Sequence, residues 1–398
     1  MKSLEETMKI SQTELDSKLE PNSLEGEVYI APRNSIELQL AQMWEQVLEI
    51  QPISIIDNYF DLGGDSLRAL RLFDQIEQTF GKKLSLATLI QAPTLEQLAE
   101  VIAQESESVP FTSLVPIQPS GSKPPLFCMH GNGAHVLAFQ DLAQYLGTDQ
   151  PFYGLQARGV DGVTTPLERI EDMAAAYIEE IRAVQPEGPY YLAGFSSGGV
   201  VAFEMARQLH AQGEKVAFVG LLDTFVPGCF KKVTVLEWFA RQWRNFWRFG
   251  LKHPVKMAYR SLERKWYFVY WNVYLKLAGS LPYFWHRKYV GYSIRKAMRT
   301  YEFQPYAGKL TLFRATEVPG KGWYYYPSGM PTPDDWHTKD PEYGWGSLAE
   351  GGLETHDLPG NHSTILKEPH IRVLSQTLAA CLEKARAEVN RSELNQLA

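Results

Sequence analysis

The stretch Gly194-Phe195-Ser196-Ser197-Gly198 constrains this chain more than any other. It stands between an apolar strand pattern, Tyr190 to Ala193, and a helical pattern that follows. A serine between two glycines at a strand-to-helix junction predicts a tight turn that lifts the hydroxyl out of a sheet edge. Around it strands are expected at Pro125 to Met129, Phe152 to Gln156, Val216 to Leu222 and Leu310 to Phe313. Helical patterns cover Met173 to Val184, the residues after Ser196, and His370 to Val389. Such alternation predicts an α/β unit, a mostly parallel sheet with helices on both faces.

The N-terminal hundred residues follow another period. Ile36, Leu40, Met43, Trp44, Val47 and Leu48 recur at helical spacing. Leu67, Leu70, Phe73, Ile76 and Phe80 mark a second amphipathic helix, which Gly81 can close in the left-handed conformation. A short segment, Leu84 to Ile90, precedes a last helix that Thr94 can cap. We therefore read residues 1–33 as a polar, mobile leader and 34–106 as a small all-α four-helix bundle. Residues 107–122 read as a linker turning into an edge strand. The α/β unit spans 123–390, with a large helical insertion over 227–300, and 391–398 form a tail.

With 398 residues, both units have ample core. Cys128, Cys229 and Cys381 lie far apart with no CxxC pair, which argues against a disulfide framework or a zinc site and fits a reducing cytoplasm. No metal is expected. The net charge of -7 hides an asymmetry: residues 231 to 300 hold sixteen Lys/Arg against two Asp/Glu, leaving -21 for the remainder. Six of the ten tryptophans share that window, so the insertion is chemically separate from its host.

A serine hydroxyl becomes a nucleophile when a histidine takes its proton, and the imidazole needs a carboxylate to fix its tautomer. Asp223, just beyond the strand Val216 to Leu222, and His362, in Leu358-Pro359-Gly360-Asn361-His362-Ser363, follow Ser196 in the order expected of this arrangement. Glu317, Asp334 and Asp335 stand as alternative acids. His130 is an alternative base, although it precedes the nucleophile and suits ordering of the loop. Backbone N–H groups for an oxyanion are expected from Ser197 and from Asn132 in His130-Gly131-Asn132-Gly133, with Gly131 as the alternative. Together these features predict a serine hydrolase.

Several stretches carry a family resemblance. They are Tyr29-Ile30-Ala31-Pro32-Arg33, Asp57-Asn58-Tyr59-Phe60-Asp61-Leu62-Gly63-Gly64-Asp65-Ser66-Leu67, Ala193-Gly194-Phe195-Ser196-Ser197-Gly198-Gly199 and Pro359-Gly360-Asn361-His362. The C-terminal two thirds resemble the type I thioesterases that end nonribosomal peptide and polyketide synthases, and the N-terminal part resembles their carrier domain. The resemblance implies that a phosphopantetheinyl transferase attaches 4'-phosphopantetheine to Ser66, that upstream synthetase domains or proteins load it, and that Ser196, Asp223 and His362 form the triad releasing an acyl or peptidyl thioester. The Gly64-Asp65-Ser66 form leans towards peptidyl traffic. Asn361 stands where the family often has an acid, and the His130 loop lacks the usual following proline.

Other readings remain open. A free-standing esterase or lipase would turn over small esters without pantetheine, and a non-catalytic acyl-delivery module would keep its output without Ser196. In the insertion, Leu236, Phe239, Trp243, Phe246, Trp247 and Gly250 share one helical face and Arg241, Arg244, Arg248 and Lys252 the other. Such a helix can roof an acyl channel or touch an anionic membrane surface. Nucleic acid is not an expected partner, since the basic patch sits inside an enzyme fold without a reader motif.

Overall fold

A computed structural model describes residues 29–104, 111–227, 283–317 and 340–397, together with Cys229, Trp243 and Trp247. Four helices make the N-terminal unit: α1 (Ser35–Leu48), α2 (Ser66–Phe80), α3 (Thr88–Gln91) and α4 (Leu95–Ala103). Their starts are chemically marked. The Asn34 side chain accepts from the Glu37 N–H, and Thr94 and Gln97 form a reciprocal capping box. Gly81 ends α2 at φ 67°. Leu40, Trp44, Tyr59, Leu72, Ile76, Leu95 and Leu98 are fully buried between the helices. Removing each large side chain from water contributes about 1.5–3 kcal/mol.

The second unit is built on seven strands: β1 (Leu114–Gln118), β2 (Leu126–Met129), β3 (Phe152–Leu155), β4 (Tyr190–Phe195), β5 (Val216–Leu222), β6 (Leu310–Ala315) and β7 (Leu353–Leu358). Their order is β1-β3-β2-β4-β5-β6-β7, with β1 antiparallel to β3 and every other pair parallel. Helices α6 (Ile170–Arg182), α7 (Ser197–Ala211) and α8 (Tyr283–Thr300) pack into one core cluster with Phe127, Leu192 and Leu221. Helices α5 (Gln140–Leu146) and α9 (His370–Leu397) pack into the other with Cys128, Tyr191 and Leu222. Burial on both faces explains why β2 and β4 are continuous apolar runs, Leu-Phe-Cys-Met and Tyr-Tyr-Leu-Ala-Gly-Phe.

The strand order places the site. From β2 the chain passes to β3 on one side and then to β4 on the other, so the order reverses between β2 and β4. In an open parallel sheet the crevice beyond the carboxyl ends of such a pair is where ligands gather. The loop after Met129 and the turn at Ser196 both leave the sheet there.

Two boundaries differ from the expectations, and the edge strand expected at the end of the linker is located. Residues 29–33, read as the end of the leader, are tied to the helical unit: the Ile30 N–H donates to Ser54 Oγ, the Ile55 N–H donates to Ile30 O, and Arg33 pairs with Glu37 and Glu96. Part of the linker, Leu114–Gln118, is a sheet strand, because its backbone pairs with β3. The C-terminal end of the insertion is a packed helix, since Val290, Ile294 and Ala297 of α8 lie in the α/β core. Residues 1–28 and most of 228–282, including most of the amphipathic face, lie outside the described residues. Of that face, Trp243 and Trp247 are helical and exposed, their rings 5.9 Å apart. Among the described residues no helix is long and apolar enough to cross a membrane.

Candidate active site and carrier serine

Ser196 sits at the junction of β4 and α7 with φ 56° and ψ -121°, a backbone region that costs a non-glycine residue of order 1–3 kcal/mol. Its neighbours show what holds it there. A methyl on Gly194 would lie 2.2 Å from Gly198 O, and one on Gly198 would lie 2.3 Å from both Met129 O and His130 O. Glycine at both places lets α7 start hard against the end of β2. The Ser196 N–H donates to Leu222 O, which ties the turn to β5.

Asp223 follows β5 at φ 46° and is fully buried. One carboxylate oxygen, Oδ1, accepts from the Ala315 N–H at 3.0 Å. The other, Oδ2, lies 2.7 Å from His362 Nδ1. The proton on Nδ1 is thereby fixed, and Nε2 is left as the basic nitrogen. The His362 ring stacks on Phe195, centroids 4.9 Å apart, which brings it over the residue that precedes Ser196. The structure thus brings Asp223 and His362 together beside the Ser196 turn. Glu317 is exposed and its N–H donates to Gly360 O, while Asp334 and Asp335 lie outside the described residues.

The loop after β2 has a defined support. His130 is buried; its Nδ1 donates to Gly131 O at 2.8 Å, and Nε2 lies 2.8 Å from the Tyr177 hydroxyl. Burial lowers its pKa to about 4, so the ring is neutral at physiological pH. With both nitrogens engaged, His130 orders the loop and is not available as a base. Ser197 begins α7, where first-turn N–H groups have no acceptor within the helix and the helix dipole favours negative charge. Asn132 stands in the facing loop, its side-chain oxygen buried without a partner among the described residues.

Sequence reasoning missed several supports. Asn361 Oδ1 accepts from the Ser363 N–H, and Thr364 Oγ1 accepts from the Asn361 N–H, so an Asx turn clamps the His362 loop. The Asn-x-Ser-Thr spelling was the available signal. Trp345 Nε1 donates to Thr224 O at 2.8 Å and steadies the chain just after Asp223; nothing local to Trp345 announces that contact. Elsewhere Glu354, His356 and Cys381 converge from β7 and α9, but Glu354 is already paired with Lys309 and Lys384, which hold its pKa down to about 2.

Ser66 is the first residue of α2, and its setting suits a modified serine. The cap is made by Asp65, whose Oδ1 accepts from the Leu67 and Arg68 N–H groups, so the Ser66 hydroxyl is not spent on capping. Ser66 is half-buried, and Leu67 beside it is 61 % exposed. Gly64 packs on Tyr59, where a methyl would come within 2.3 Å of the ring. The Asp57 to Leu67 run is thus partly a packing requirement.

Comparison with known proteins agrees with this division. Residues 39–102 match the family described as phosphopantetheine attachment site, and residues 124–233 match the thioesterase domain. Malpinin synthetase of Mortierella alpina is 44% identical over 200 residues, covering 50% of this chain and 3% of the synthetase. Chondramide synthase of Chondromyces crocatus is 29% identical over 380 residues, covering 88% of this chain and 9% of the synthase. The chain therefore spans a small fraction of the relatives it matches. The crystal structure of a holo four-domain nonribosomal peptide synthetase bound to AMP and glycine superposes with a TM-score of 0.50 at 24% identity, covering 92% of this chain and 27% of that one.

Proposed function

We propose that this chain, a phosphopantetheine carrier joined to a thioesterase domain of the nonribosomal peptide synthetase type, releases the acyl or peptidyl chain borne by its own carrier unit. The observation that carries the reading is the Asp223–His362 pair, 2.7 Å apart, beside a strained Ser196 turn in a chain that also presents Ser66. Phosphopantetheine on Ser66 would supply a thiol that holds the cargo as a thioester.

The reaction then follows from this chain's own groups. His362 Nε2 takes the Ser196 proton as Oγ attacks the thioester carbonyl carbon. Asp223 holds Nδ1–H and stabilises the imidazolium. The N–H of Ser197 and that of Asn132, with Gly131 as the alternative, donate to the oxyanion. His362 gives that proton to the leaving thiol as the C–S bond breaks, and Ser196 keeps the acyl group as an ester. Water, or a hydroxyl or amine of the cargo, gives its proton to His362 as it attacks that ester, and His362 passes the proton to Ser196 Oγ as the acyl–oxygen bond breaks. A transferase adds the arm, and upstream synthetase modules load it.

Intact-protein mass spectrometry after treatment with coenzyme A and a broad-specificity pantetheinyl transferase tests both serines. Wild type and Ser196→Ala gain the arm, Ser66→Ala does not, and a loaded acyl group persists only in Ser196→Ala. Arm addition to Ser66→Ala, or equal acyl loss from Ser196→Ala and wild type, sinks the proposal. Full biological output from a Ser196→Ala protein would instead favour a delivery module.

A further inference from the structure

Helix α8 brings beside the loop after β2 a cation that the release chemistry does not use. Arg295 is half-buried, and among the described residues no carboxylate faces it. Several acids of the neighbouring elements are engaged elsewhere. Glu168 pairs with Lys296, Glu171 and Asp172 lie against Arg169, and Glu204 binds Arg207 and the Tyr301 hydroxyl. The nearest charge to Arg295 is another cation, Arg299, and together with burial it lowers the Arg295 pKa from its ordinary value. A partly desolvated guanidinium without a counter-charge is rare in folded proteins, because the lost hydration is not repaid.

Gly291 stands one turn earlier on the same helix. A methyl built on Gly291 would lie 3.4 Å from Arg295 Nη1 and 3.5 Å from Asn132 O. The guanidinium and the loop after β2 therefore flank the same backbone carbon. On the loop side, Asn132 Oδ1 is buried without a partner among the described residues, and a carboxamide can present either its oxygen or its NH2. Among the described residues, a guanidinium without a counter-charge thus lies beside the loop after β2 that carries Asn132.

We propose that Arg295, beside the loop that carries Asn132, forms an anion subsite that selects thioesters bringing a carboxylate or phosphate to the site, an inference that rests on the release reaction proposed above. The planar guanidinium fork matches either oxyanion. The carboxylate would come from the acyl chain and the phosphate from the pantetheine arm. Both are carried by the substrate, and they are separable in experiment.

The test compares the full chain as wild type, Arg295→Gln and Arg295→Lys on four thioesters. Octanoate and its ω-carboxylated counterpart are each presented on N-acetylcysteamine and on 4'-phosphopantetheine. If the acyl carboxylate is read, Arg295→Gln lowers kcat/KM about tenfold or more for the carboxylated pair alone, the scale of one charge-assisted hydrogen bond, and Arg295→Lys recovers part of it. If the arm's phosphate is read, the same loss appears for both phosphopantetheine thioesters and for neither N-acetylcysteamine thioester. Equal loss on all four, or none, marks an arginine that merely packs along α8 and overturns the subsite. Binding of the four compounds to Ser196→Ala gives the same comparison as affinities, so the subsite is tested even if turnover is absent. Turnover unaffected by Ser196→Ala would count against the release reaction instead.

Discussion

Acidification is expected to loosen the loop after β2 before it touches the rest of the sheet, and the cause is one imidazole. His130 is 1% exposed and spends both ring nitrogens on Gly131 O and the Tyr177 hydroxyl. Its pKa falls from the ordinary 6.5 to about 4 because burial penalises the charged ring. In the unfolded chain the ring protonates near its ordinary value, so between those two pH values the unfolded state holds more protons. Stability tied to His130 is therefore complete above pH 6.5 and is lost as pH falls towards about 4. The gap corresponds to about 3 kcal/mol, of which about 2 kcal/mol is gone by about pH 5. Urea unfolding from neutral pH to about pH 4.5, in wild type and His130→Gln, measures the effect as the part of the pH slope that the substitution removes. Imidazole chemical shifts report the same group directly, and the His130 resonance is expected not to titrate near pH 6.5. A His130 resonance with an ordinary midpoint, or an identical pH slope in the variant, would refute the reasoning.

Asp223→Asn keeps the shape of the pair but removes the charge that fixes the His362 tautomer, so kcat on a soluble thioester is expected to fall about 1,000- to 10,000-fold with KM little changed. A loss under tenfold would point to another acid. Gly198→Ala pushes a methyl against two carbonyl oxygens at 2.3 Å and must shift the start of α7. A cost of about 1–3 kcal/mol in unfolding free energy is expected, with activity down about 100-fold from misplacement of the Ser197 N–H. Native-like turnover would show that the oxyanion loop tolerates the shift. Asp65→Ala removes the one oxygen that accepts from two N–H groups at the start of α2 and is expected to cost about 1 kcal/mol. Urea unfolding of the carrier transition checks it, and an unchanged midpoint would mean that Ser66 takes over the cap.

What the chain determined by itself was whatever depends on near neighbours. Periodicity predicted α1 and α2, Gly81 closed α2, Thr94 capped α4, and the glycines around Ser196 predicted the turn because a Cβ at those places has nowhere to go. The two units and their order were legible for the same reason, since each motif is a local physical requirement. The edge strand β1 was legible as a linker turning into a strand, but its pairing was not, because its partner β3 lies about forty residues on and pairing is not written in one strand. Choosing Asp223 over Glu317 took the sheet: β5 and β6 pair in parallel, and their register lets Ala315 donate to Asp223 while β7 brings the His362 loop to the same edge. His130 became a support because Tyr177 reaches it from α6, and Arg295 became a candidate reader because α8 folds back across the loop after β2. Charge and spacing in a sequence state what a residue can do. Only the packed chain decides which other groups it meets, because burial and the matching of donors with acceptors depend on every element that crosses the site.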